Sequence, residues 1–168
     1  GVPDIRATWA KLKAAGYPAI TRAEMPPAQE VKDDLAFIAN QNTSVAYVMA
    51  PDDVKVELVE VKTQTTPVAL HHIHYYTPKV DEMKAWYVQT FGAKGGMRGA
   101  FQAADLPGVN LTFSPAPDGV APTKGRSFDH VGYEVKDLEA FCRKLEAAGV
   151  TFDRPYSKNA AIGIGLAF

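Results

Sequence analysis

Apolar positions recur at two periods along this chain. Helical spacing appears first in Val2 to Gly16, where Ile5, Trp9 and Leu12 fall on one face, and again in Val135 to Gly149 with Leu138, Phe141 and Leu145. These two stretches are copies: eight of fifteen aligned positions are identical, each with Asp at the N-cap position and Gly just past the end. A looser third copy runs from Val80 through Met83, Trp86 and Tyr87 to Phe91-Gly92. Period-two alternation predicts strands between and after them. In the first part these lie near Ala19 to Glu24, Leu35 to Ala39, Val45 to Met49 and Val54 to Val61. A linker at Lys62 to Pro67 leads to strands at Leu70 to Thr77, Met97 to Ala103 and Val109 to Ser114. After a Pro-rich connector at Pro115 to Lys124, strands are expected at Phe128 to Val135, Thr151 to Arg154 and Ile162 to Phe168.

Two of these strands carry histidines near their start. Side chains alternate between strand faces, so His72, His74 and Tyr76 share one face and Ile73 and Tyr75 the other. His130 shares a face with Gly132, opposite Val131, Tyr133 and Val135. Equivalent strands that each present one imidazole suggest a metal site built between copies of one unit, and an imidazole can equally line a cavity or cap a strand start. Parity also makes Tyr76, Asn110 and Thr112 candidate cavity residues that would orient a polar substrate.

Composition narrows the function classes. A net charge of −1 offers no electrostatic basis for binding nucleic acid or a membrane surface, and no segment reaches the roughly 18 to 20 apolar residues of a membrane span. The lone cysteine, Cys142, excludes an intrachain disulfide and fits a reducing compartment, so a cytoplasmic location is expected. Its place on the apolar side of a helix predicts a small buried hydrophobe rather than a nucleophile. Phosphate loops, Gly-x-Ser-x-Gly elbows and CxxC pairs are absent from the sequence.

The βαβββ order, with His opening the first strand, resembles the vicinal oxygen chelate superfamily of glyoxalase I, bleomycin-resistance proteins and extradiol dioxygenases. The resemblance rests on His71-His72-Ile73, Trp86-Tyr87, Phe91-Gly92, Asp129-His130-Val131, Ala147-Ala148-Gly149-Val150, Ile164 to Phe168 and Val56-Glu57-Leu58. It implies an α+β fold in which paired βαβββ units form curved mixed sheets around a cavity. It divides the chain into 1–66, the later half of a first domain without its opening strand, and 67–168, a second domain without its closing strand. Two explanations stay open: a piece of a four-unit protein, or a homodimer in which a second copy supplies the absent strands by swapping.

The resemblance further implies one divalent metal ion (Fe, Mn, Zn or Ni) held by His72, His130 and a carboxylate lying beyond Phe168. Glu57 would be a ligand of the first, incomplete domain, and Asn110 would stand where some relatives place a fourth ligand. The substrate would be a small molecule with vicinal oxygens, transformed by a lyase, an isomerase or a ring-cleaving dioxygenase. The alternative is a metal-free binding protein of the bleomycin-resistance type.

Overall fold

The computed structural model describes residues 1–168. It divides into two compact units, Gly1–Asp129 and His130–Phe168. In the first unit, helix α1 (Ile5–Ala14) begins where the sequence predicts: the Asp4 carboxylate accepts from the Ala7 amide at 2.9 Å, satisfying an otherwise orphaned helix donor. Asp4→Ala is expected to lower stability by about 1 kcal/mol in urea unfolding, and an unchanged midpoint would contradict this role. After α1 the chain makes a single helical turn, α2 (Thr21–Glu24). It then forms an antiparallel sheet from β1 (Val31–Lys32), β2 (Leu35–Ile38), β3 (Thr43–Met49) and β4 (Lys55–Val59), in that spatial order. Ile5 and Trp9 of α1 bury one face of this sheet against Leu35, Ala46, Val48 and Leu58. Val2 makes an isolated parallel bridge to Glu60.

The second sheet is built from β5 (His72–Thr77), β6 (Lys94–Arg98), β7 (Phe101–Leu106) and β8 (Val109–Pro115), in the order β5-β8-β7-β6. Strand β5 runs parallel to β8 and the other pairs are antiparallel. Helix α3 (Val80–Phe91) connects β5 to β6, which completes a βαβββ unit of the expected α+β kind. Gly92, at φ +70°, ends α3 in the left-handed conformation that a side chain would strain. The helix-facing side of this sheet is aromatic: Phe113 stacks with Tyr75 at 5.8 Å between ring centres and lies 6.0 Å from Tyr87.

The second unit holds helix α4 (Leu138–Ala147), capped by Asp137 in the same way as α1, and a short hairpin of β9 (Ser157–Asn159) and β10 (Ile164–Leu166). Cys142 is buried on α4, as its helical position predicts.

Several expected strands take another form. Ala19 to Glu24 is not a strand; only Ala19 bridges Val48, and Thr21 starts α2. Met97 to Ala103 is not one strand but the turn of the β6–β7 hairpin, because Gly99, at φ +57°, reverses the chain between Arg98 and Phe101. Residues 128–135 and 151–154 form no strand, and no ladder runs beside them. Within Ile162 to Phe168 the strand is confined to β10, and Phe168 exchanges two backbone hydrogen bonds with Arg154.

Candidate functional site

Alternation along β5 sends Ile73 and Tyr75 toward α3 and leaves His72, His74 and Tyr76 on the opposite face. Ladder pairing aligns these three with Asn110, Thr112 and Ser114 of β8. On the other sheet, Glu57 of β4 pairs across the ladder with Tyr47 of β3. The two faces meet: the Nε2 of His72 lies 2.9 Å from a carboxylate oxygen of Glu57, with side chains only 6% and 17% exposed. Lys55, two residues before Glu57, sits 5.8 Å from the ring centre of Tyr76.

Burial would push the Glu57 carboxyl up, but hydrogen bonds and charge from His72, with a hydrogen bond from Tyr47, outweigh it and hold the group below its ordinary range. The Tyr47 hydroxyl is raised, first by burial and then by that neighbouring carboxylate. Behind the pair, the Nδ1 atoms of His71 and His72 approach to 3.0 Å. Such a contact orients the His72 ring so that Nε2 faces the carboxylate.

Burial, followed by the charges of Arg98 and His72, lowers His71 to about 4. An unfolded histidine titrates near 6.5, so between these values the unfolded chain binds more protons than the folded one. Stability of the metal-free protein is therefore expected to be fully present above about pH 6.5 and to fall on acidification toward pH 4. Glu57, also depressed, adds a loss of the same sign at lower pH. Urea midpoints measured across this window should show a shallower slope in His71→Gln; an identical slope would contradict the assignment.

His74 is half-buried, with its Nε2 2.8 Å from the Ser114 hydroxyl and its ring stacked on Tyr76 and edge-on to Phe101. Asn110 donates to Asp105 at 2.7 Å and accepts from the Thr112 hydroxyl at 2.8 Å. The fully buried Thr112 in turn accepts from Arg98. His130 belongs to the second unit; it is exposed, outside any strand, and its ring meets Phe168 edge-on at 5.6 Å.

Two placements differ from the sequence reading. Glu57, expected in a site separate from that of His72, lies against it. The counterpart of Glu57 on β8 is Thr112 rather than Asn110. Val2 stands three residues before α1 and bridges Glu60, as Thr77 stands three before α3 and pairs with Pro115. Counting back three from Glu60 and from Pro115 makes Glu57 and Thr112 equivalent. Sequence reasoning missed Tyr47, His71 and Arg98. Parity on β3 and the His71-His72 doublet hinted at the first two, whereas Arg98 emerges only once the hairpin register is known.

A divalent ion has donors of the right kind here. The imidazole of His72 and the carboxylate of Glu57, 2.9 Å apart, would be the residues to hold such an ion. No group of three His, Cys, Asp or Glu side chains converges anywhere in the structure, so the chain's own set at this point is His72 and Glu57. A recess of about 250 Å³ lined by Arg6, Gln29, Glu30 and Lys32 shares no residue with this pair.

Comparison with known structures identifies this arrangement of sheets. Two crystal structures of glyoxalase I mutants from Zea mays align over 98% of the chain. Their TM-scores are 0.59 and 0.58, at 12% and 14% identity, which establishes likeness of fold. The chain spans 60% and 59% of those proteins. No curated protein matches the chain in sequence. The sequence model described as Glyoxalase/Bleomycin resistance protein/Dioxygenase superfamily matches residues 69–161, from the strand bearing His72 to beyond α4. With more than half of its residues matched and its complete βαβββ unit in place, the chain belongs to the glyoxalase/bleomycin resistance protein/dioxygenase superfamily.

Proposed function

We propose that this chain serves a divalent-metal-dependent enzyme acting on a small substrate with vicinal oxygens, with His72 and Glu57 as protein ligands to the ion. One observation carries the reading: an imidazole and a carboxylate from two different sheets are brought to 2.9 Å on facing surfaces, both largely shielded from water. Neutral imidazole with carboxylate suits Fe(II), Mn(II), Zn(II) or Ni(II). When bound, such an ion supplies Lewis-acid polarisation of the substrate oxygens.

The chain's own residues then divide the remaining work. Tyr47 donates to Glu57 and keeps the carboxylate ionised; His71 fixes the ring of His72. Thr112 offers a neutral hydroxyl where its counterpart Glu57 offers a charge. Tyr76 and His74, held by Ser114, form the wall beside the pair. Assigning 1–66 and 67–168 to successive glyoxalase-like domains remains part of this proposal, and the Glu57–His72 contact then falls across their boundary in sequence. Lyase, isomerase and ring-cleaving dioxygenase chemistry are all compatible with the donor set.

A second reading, a metal-free binding protein, draws support from the aromatic wall: Tyr76 is 49% and Phe101 41% exposed, as a stacking surface for a planar ligand requires. Elemental analysis of protein purified without chelator separates the two. The metalloenzyme predicts about one divalent ion per chain, followed by turnover in a screen of catechols and hemithioacetals. A folded protein free of metal, unable to take up any of the four ions, would overturn it in favour of the binding protein.

A further inference from the structure

Arg98 is the charged residue near the candidate site that neither the ligand pair nor the fold accounts for. It ends β6, opposite Phe101 in the hairpin, and ladder parity places it on the same face as Thr112 and His74. Its one side-chain hydrogen bond is long, 3.4 Å from Nη1 to the Thr112 hydroxyl. No carboxylate lies within ion-pair distance of it. A guanidinium carries five N–H donors in a planar fork, so most of its capacity is uncommitted. The group is nevertheless half-buried and close enough to act electrostatically on Glu57, His71 and His74. A half-buried cation without a direct ion pair is costly unless an anion meets it. Beside it stand the exposed rings of Phe101 and Tyr76, joined through His74 at 5.2 and 5.0 Å between ring centres.

We propose that Arg98 is a specificity residue that binds the carboxylate of a planar acidic substrate, with the exposed ring of Phe101, its partner across the hairpin, beside the plane. This names the substrate class of the site and rests on reading His72 and Glu57 as its reaction centre. The substrate would carry its vicinal oxygens toward His72 and Glu57 and its acid group toward the β6–β7 turn. Thr112, hydrogen-bonded between Asn110 and Arg98, acts as a positioning residue for the guanidinium.

The test is calorimetric titration with catechol and with 3,4-dihydroxybenzoate, which differ by one carboxylate, in the metal-free and the Mn(II)-loaded protein. The acid is expected to bind at least about tenfold more tightly than catechol in both forms. Arg98→Met should erase that preference, and Arg98→Lys, which keeps the charge without the planar fork, should retain part of it. Equal affinity for the two probes, a preference that survives Arg98→Met, or no binding of the acid would each overturn the proposal. Failure of the metal reading looks different: an Arg98-dependent preference would persist while Mn(II) and His72→Ala leave both affinities unchanged. Failure of Arg98 alone would leave both probes metal-dependent and indistinguishable.

Discussion

Glu57→Gln and His72→Ala are each expected to weaken binding of a divalent ion by on the order of 100-fold or more, about 2.8 kcal/mol. Each removes one of the two protein donors that the sheets bring together, and no group of three His, Cys, Asp or Glu side chains converges there. The variants differ in the metal-free protein. Gln keeps the shape of Glu57 and can still accept from His72, so its cost to stability is small. Ala at position 72 strips a largely buried carboxylate of its main partner and should cost about 2 kcal/mol in urea unfolding. Unchanged metal affinity in both variants would place the centre elsewhere.

The largest effect on stability is expected from Phe113→Ala, about 3 to 5 kcal/mol. Phe113 is 1% exposed at the middle of β8, an interior strand of its sheet, and its ring lies between Tyr75 of β5 and Tyr87 of α3. Removing it leaves a void bounded by two tyrosines whose hydroxyls are 3.0 Å apart, a contact that resists collapse into the space. The same strand presents Thr112 and Asn110 on its other face, so loosening β8 should also blur the alignment of His72 opposite Asn110. Equilibrium unfolding followed by circular dichroism checks the figure; a loss below about 1.5 kcal/mol would mean that the aromatic layer is not the core of this sheet.

Much of this could be read from the chain because it depends on neighbours in sequence. The Asp caps of α1 and α4, the left-handed Gly after α3 and the face shared by His72, His74 and Tyr76 are local properties of a few residues each. The hairpin between β6 and β7 was obscured because Met97 to Ala103 alternates acceptably as one strand, and a turn at Gly99 shifts the face assignment of everything after it. That shift is why Arg98 escaped notice. Residues 128–135 have strand-like composition, but a strand depends on the backbone beside it, and composition does not report that partner. The meeting of Glu57 with His72 is of the same kind. Each residue lies on a strand whose parity is readable, yet their contact depends on how two sheets face each other, and no short-range pattern encodes that arrangement.

Anomalous diffraction from crystals soaked in Co(II) addresses the central claim most directly. The account predicts a peak within about 2.3 Å of both the Nε2 of His72 and a carboxylate oxygen of Glu57. A peak at His130 instead, or none while His72 and Glu57 remain in direct contact, would contradict it.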